Sequence, residues 1–181
     1  SSSTLLRTIN DTLDLSRMEA GHEDLIISEF SPADLLEKAV ANYAARAQGK
    51  GLLIFSVANT GMPATVKGDP TRLLQILNNL VSNAIKFTEA GRVVVRAAAS
   101  CAESGKVTLR FQVTDTGVGI RAESQVQLFE PYFRAHSGVE QDISGTGLGL
   151  TISRRLADLM GGSLSVVSDV GLGTSITFAI A

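Results

Sequence analysis

Tryptophan is missing from this chain of 181 residues, aromatics supply only 5% of it, and there is a single cysteine, Cys101. One thiol excludes an internal disulfide and a cysteine-based zinc site. Its ordinary reading is a small, partly buried residue in a reducing compartment. Net charge is nearly lacking too: the formal value of -2 supplies no basic field for a phosphate backbone and sets nucleic acid aside as a partner. No apolar run approaches the roughly 20 residues that cross a bilayer, so no membrane contact by this stretch of chain is expected. No leader-like segment opens it, and Ser1-Ser2-Ser3 reads as a cut through a longer protein. What remains is a globular composition, 44% hydrophobic and 19% charged, sufficient for one domain with a proper core plus an appended element.

Leu6 and Leu13, with Leu5 and Ile9 beside them, place an apolar stripe on a helix from about Thr4 to Ala20, ending at Gly21. Such a stripe needs a partner: a second helix, another protomer or the main domain. Leu25 to Phe30 reads as a short strand. Ser31-Pro32-Ala33-Asp34 opens a helix, with Ser31 as cap, Pro32 in the first turn and Asp34 at the positive helix end. Leu35, Leu36, Ala39, Val40 and Tyr43 form its core face, Gly49-Lys50-Gly51 breaks it, and Leu52 to Val57 is a strand.

Gly68-Asp69-Pro70 opens a second helix running to about Phe87, with Leu73, Leu77, Leu80, Val81 and Ala84 inward. Strands follow over Arg92 to Ala99 and Val107 to Thr114, then a loop at Asp115 to Ile120. A short helix, an irregular stretch from Tyr132 to Gly147, and a helix from Leu148 to Met160 come next. Ser163 to Ser168 and Thr174 to Ala179 close the chain as a hairpin. Because the last four strands fall into two hairpins, the pattern favours an α/β two-layer sandwich over a doubly wound parallel sheet. Its mixed sheet has helices packed on one face and is preceded by the N-terminal helix.

Three segments carry chemistry. Asn79, Asn83 and Lys86 stand at i, i+4 and i+7, on one helix face. Asparagine is a mediocre helix former, so two of them beside an apolar stripe call for a reason beyond propensity. A carboxamide oxygen suits Mg²⁺ and an ammonium suits phosphate; a plain solvated face is the alternative. Asp115-Thr116-Gly117-Val118-Gly119-Ile120 follows a strand, where a carboxylate can accept from an amino group such as that of adenine. The alternate glycines there permit tight turning and close approach; a simple Asp-Gly turn is the alternative. Gly145-Thr146-Gly147-Leu148-Gly149-Leu150 starts a helix, a natural anion site. Its spacing and late position fail the dinucleotide fingerprint, and no Gly-Lys-Ser or Gly-Lys-Thr supports a Walker loop.

In this order the segments resemble the catalytic ATP-binding domain of sensor histidine kinases, within the GHKL ATPase superfamily. Asn79 to Thr88 is similar to the N box, Asp115 to Ile120 to the G1 box, Leu128 to Arg134 to the F box, and Ser144 to Leu150 to the G2 box. Gly171-Leu172-Gly173-Thr174 resembles the final glycine motif. Leu13 to Gly21 resembles the second helix of the dimerisation and phosphotransfer hairpin with its linker, which divides the chain into residues 1–21 and an ATP-binding domain over 22–181. The linker wording and Gly68 to Arg72 resemble hybrid, multi-step phosphorelay sensors.

The resemblance implies ATP and Mg²⁺ as ligands. Asn83 would coordinate the metal across the triphosphate with Asn79 nearby, Lys86 would contact phosphate, and Phe87 would flank the nucleotide. Asp115 would accept from the adenine amino group with Thr174 supporting through water, and Gly117, Gly119 and Ile120 would shape the base pocket. Arg134 would reach the γ-phosphate, while Gly145, Thr146, Gly147, Leu148 and Gly149 would offer backbone N–H groups. The implied reaction is phosphoryl transfer from ATP to a histidine ring nitrogen, with a response-regulator receiver domain downstream, in a homodimeric parent. That parent would be anchored in the bacterial inner membrane, with this part in the cytoplasm.

The expected His-Glu acceptor motif is absent: His22 follows Gly21 and His136 lies in the lid. The acceptor helix is therefore expected outside this chain, without autophosphorylation by the chain alone. Two readings compete with the kinase: a nucleotide-binding regulatory module without turnover, and another GHKL ATPase. The latter usually carries a glutamate one turn before the functional asparagine, where Asn79 stands here.

Overall fold

The computed structural model describes residues 25–117, 119, 149–169 and 173–180, together with Leu6, Ile9, Thr12, Leu13 and Ser16. Those five isolated residues are helical and exposed, in agreement with an N-terminal helix. A three-residue strand, β1 (Ser28–Phe30), leads into helix α1 (Pro32–Gly49). The entry is capped as the sequence indicates: the Asp34 N–H donates to Ser31 Oγ at 3.2 Å, satisfying one of the donors a helix start leaves orphaned.

Strand β2 (Leu53–Ala58) and the short β3 (Val66–Gly68) follow, then helix α2 (Pro70–Phe87). Asp69 caps α2 by accepting from the Arg72 N–H at 3.1 Å through Oδ1, while its Oδ2 accepts from the Ile26 N–H at 3.0 Å. One buried carboxylate thus fixes both the helix start and the segment ahead of β1. The apolar stripe of α2 is buried throughout, at Leu73, Ile76, Leu77, Leu80, Val81, Ala84 and Ile85.

The remaining elements are β4 (Arg92–Cys101), β5 (Val107–Asp115), α3 (Gly149–Leu159), β6 (Ser163–Asp169) and β7 (Gly173–Ile180). Five strands form one mixed sheet in the order β2-β4-β5-β7-β6. Only β2 and β4 run parallel, because α2 intervenes between them; the other pairs are antiparallel. Period-two alternation sends Val93, Val95, Ala97, Leu109, Phe111 and Val113 to the face where the three helices pack, giving one core. Arg96 and Arg110 on the opposite face are exposed. The two-layer expectation holds.

Three details differ from the sequence reading. The first strand is shorter, with Ile26 and Ile27 exposed ahead of it. Strand β3, too short to show a period, pairs antiparallel with β1 in a separate small sheet, Glu29 opposite Lys67. Cys101 is exposed rather than partly buried, because it ends β4 beyond the helix layer. The short helix and the irregular stretch expected between Ile120 and Gly147 lie outside the described residues. Among the described residues no helix is long and apolar enough to cross a membrane.

Candidate functional site

The polar face of α2 is where the site begins. Asn79, Asn83, Lys86 and Phe87 are all half-buried, so this face is not a freely solvated one. Asn79 Nδ2 donates to Ser153 Oγ at 3.3 Å. Ser153 is fully buried, among Ile152, Leu156 and Ala157 of α3, and stands one turn after Gly149, the first residue of that helix. The first asparagine therefore joins α2 to the helix that begins at the last glycine of the glycine-rich run. The carboxamide of Asn83, one turn further on, makes no side-chain hydrogen bond to the described residues.

The end of α2 is held by a residue that sequence reasoning passed over. Lys50, just past the end of α1, donates through Nζ to the carbonyl oxygens of Ile85 at 2.7 Å and Lys86 at 3.4 Å. An ammonium at the negative end of a helix satisfies carbonyls that have no partner within it.

Against this helix end lies the end of β5. The inward register Leu109, Phe111, Val113 is continued by Asp115, only 8% exposed. A carboxylate thus occupies a position that alternation assigns to the core, where a charge needs donors. One is local: the Gly117 N–H donates to Asp115 Oδ1 at 2.9 Å. The chain then presses on α2. A Cβ on Gly117 would fall well inside contact distance of the Phe87 carbonyl oxygen, and 2.9 Å from Thr88 Oγ1 and 3.0 Å from Asp115 Oδ1. Glycine is required here by backbone packing, not only by a ligand. Thr116 extends the junction, its Oγ1 accepting from the Arg92 N–H at 3.0 Å.

A third segment meets the backbone of the same residue. Gly173, at φ 108°, starts β7 so close to the Asp115 carbonyl oxygen that no Cβ fits between them. Thr174 follows it, paired with Ser168 of β6.

The fold aligns Asn79, Asn83, Lys86 and Phe87 along α2, sets the end of that helix against Gly117, two residues past Asp115 at the end of β5 and two before Gly119, and places Gly149 at the start of α3 and Thr174 on β7. Ile120, Arg134, Gly145, Thr146, Gly147 and Leu148 lie outside the described residues. Ser153 and Lys50 were missed. A serine inside the apolar stripe of α3 was a usable signal, whereas Lys50 figured only as part of the helix-breaking Gly49-Lys50-Gly51. Chemically, the arrangement offers a recessed carboxylate at the end of β5 and, about 6 Å back along α2 from Phe87, a half-buried carboxamide at Asn83.

Residues 68–181 match the model of the family described as histidine kinase-, DNA gyrase B-, and HSP90-like ATPase, well over half of the chain. Among curated proteins, sensor histidine kinase RcsC of Escherichia coli K12 is 41% identical over 180 residues, 99% of this chain and 18% of RcsC. Hybrid signal transduction histidine kinase B of Dictyostelium discoideum is 38% identical over 97% of this chain and 9% of that protein. The chain thus spans about a fifth or less of the length of these relatives. Among solved structures, full-length ShkA in complex with AMPPNP superposes with a TM-score of 0.84 at 34% identity, covering 97% of this chain and 35% of ShkA. Acinetobacter baumannii histidine kinase AdeS, at 21% identity and a TM-score of 0.73 over 96% of this chain and 76% of that one, shares the fold.

Proposed function

The chain belongs to the histidine kinase-, DNA gyrase B-, and HSP90-like ATPase family, and from that premise we propose that it is the ATP·Mg-binding catalytic domain of a two-component sensor histidine kinase. The observation that carries this reading is the convergence of three distant segments on Asp115: the end of α2 through Phe87 and Thr88, the Asp115-Thr116-Gly117 turn, and Gly173 at the start of β7. A recessed carboxylate anchored by the Gly117 N–H can accept from the exocyclic amino group of adenine. Phe87 offers a flanking side chain, with Gly119 and Ile120 completing the wall and Thr174 supporting the carboxylate.

The site suits Mg²⁺ on the chemistry of its donor: a half-buried carboxamide oxygen at Asn83 without a competing hydrogen bond to the described residues is a hard, neutral ligand. Mg²⁺ characteristically takes only one or two protein oxygens, with waters and phosphates filling the rest. When bound, the metal neutralises charge that develops on the transferring phosphoryl group. The chain's own work is positional. Asp115 orients the base, Lys86 contributes positive charge, and Arg134 with the backbone N–H groups of Gly145, Thr146, Gly147, Leu148 and Gly149 receives the phosphates. Asn79 holds α3 in register with α2.

The acceptor is a histidine supplied by a separate helix, in line with the γ-phosphate. Residues 1–21 read as part of the dimerisation hairpin, and the exposure of Leu6 (60%), Ile9 (46%) and Leu13 (50%) supports a partner for that stripe. In the parent, a homodimer anchored at the bacterial inner membrane with this domain in the cytoplasm, the phosphoryl group passes on to a receiver domain. The similarity to a sensor histidine kinase, RcsC, and to a hybrid signal transduction histidine kinase of Dictyostelium supports the phosphorelay part of this reading.

Two measurements test the reading. Calorimetric titration with ATP, with and without Mg²⁺, should show binding that the metal strengthens. Transfer of labelled γ-phosphate to an added acceptor hairpin should follow. Binding without transfer would leave a regulatory nucleotide module in its place, and absence of any adenine-nucleotide binding at millimolar concentration would end the proposal.

A further inference from the structure

Thr88 ends α2 with φ -110° and ψ 117°, an extended conformation that valine or isoleucine would adopt as readily. Its hydroxyl is therefore not explained by the backbone. A threonine hydroxyl beside a helix end commonly turns back onto a carbonyl three or four residues earlier. Here the Ile85 carbonyl is already taken, by the Thr88 N–H at 3.4 Å and by Lys50 Nζ at 2.7 Å. The residue is fully buried, at 0% exposure, and its Oγ1 is the one buried side-chain polar atom among the described residues without a hydrogen-bond partner.

A buried hydroxyl in that condition carries its full desolvation penalty, so its location matters. Oγ1 lies 2.9 Å from the position a Cβ would take on Gly117, and Asp115 Oδ1 lies 3.0 Å from the same point. The orphaned hydroxyl and the Asp115 carboxylate thus both pack against the Cα of Gly117 and are neighbours across it.

We propose that Thr88 is a second purine-binding residue: its hydroxyl forms its hydrogen bond in the nucleotide-bound state, at the adenine edge beside Asp115, directly or through one water bound with the base. The proposal rests on the nucleotide reading above and adds a residue to it. It separates two functions within one side chain. The branched carbon skeleton sets the helix exit, and the hydroxyl serves only the ligand. A hydroxyl can donate or accept as it rotates, so it strengthens purine binding while the carboxylate selects the amino group.

The test uses Thr88→Val, which keeps the shape and removes the hydroxyl, and Thr88→Ser, which keeps the hydroxyl. Adenosine, ADP and ATP·Mg are titrated calorimetrically into each protein, and the ligand-free melting temperature is recorded. Thr88→Val should weaken all three ligands by a similar factor, about 5- to 30-fold, while its ligand-free melting temperature stays level or rises. Thr88→Ser should bind within about threefold of the parent, the range left by a lost methyl contact. The proposal is overturned if Thr88→Val binds adenosine as the parent does. It is equally overturned if only the phosphate-bearing ligands weaken, or if Thr88→Val lowers the ligand-free melting temperature without rescue by serine. A parent that binds none of the three ligands removes the nucleotide reading and Thr88 with it, whereas a binding parent and an indifferent valine variant remove Thr88 alone.

Discussion

The two ends of the pocket are built by opposite means. At the carboxylate end, backbone meets backbone: Gly117 lies on the Phe87 carbonyl, and Gly173 lies on the Asp115 carbonyl. The main-chain path there is set by these close approaches. At the carboxamide end, one turn earlier on α2, half-buried Asn83 has no side-chain hydrogen bond to the described residues. The difference teaches that, under the proposed function, the base would meet a wall set by backbone packing, with the Thr88 hydroxyl as its one unpartnered group among the described residues, whereas the metal-bridged triphosphate would meet side chains on a helix face.

Asn83→Ala tests that contrast most severely. It removes the proposed metal oxygen and little else, so ATP binding should lose its dependence on Mg²⁺, a loss on the order of 100-fold. Adenosine, which reaches only the carboxylate end, should bind as before. Titrations with and without EDTA check both halves, and a variant that still responds to Mg²⁺ would take the metal away from Asn83.

Asp115→Asn should weaken adenosine and ATP alike, by about 10- to 100-fold, the worth of a hydrogen bond to a charged group. The new amide can donate to a ring carbonyl, so guanine nucleotides should lose nothing and narrow the gap. Equal losses for both bases would show the carboxylate to be structural.

Gly117→Ala separates wall from ligand. Its Cβ meets the Phe87 carbonyl and the Thr88 hydroxyl, so the ligand-free protein should itself be destabilised, by about 1–3 kcal/mol. Thermal melts should fall by several degrees, about 2–4 °C per kcal/mol at this chain length. If alanine leaves the melt unchanged and impairs only binding, the wall is looser than its contacts imply.

How much of this was legible beforehand depended on range. Local rules found the caps at Ser31 and Asp69, the α2 stripe, and the hairpins β4–β5 and β6–β7, because each is written within a few neighbouring residues. The three site motifs were equally local, and their order carried the family. Strand β3 escaped notice, since three residues cannot display a period. Lys50 and Ser153 escaped because their meaning lies 35 and 74 residues away in the chain. Asp115 was visible as a strand-end carboxylate, but the reason it is recessed, the inward register of Leu109, Phe111 and Val113, emerged only with the sheet.

The smallest effect concerns the link between the two ends, and it distinguishes a ligand residue from a strut. Asn79 looks equivalent to Asn83 in sequence, one turn away on the same face, yet its amide is already directed at Ser153 Oγ, 3.3 Å away on α3. Ser153 is fully buried, so the bond crosses the α2–α3 seam rather than facing a solvent-filled pocket. A double-mutant cycle of Asn79→Ala and Ser153→Ala on melting stability should give a coupling of about 0.5–1.5 kcal/mol. Each single variant should reduce ATP affinity more than adenosine affinity, because α3 begins at Gly149 in the phosphate-directed run. The double variant should be no worse for ATP than either single one, since breaking the strut from one side already releases α3. Losses that simply add would mean that Asn79 and Ser153 act independently, and would return Asn79 to the role of a direct nucleotide contact.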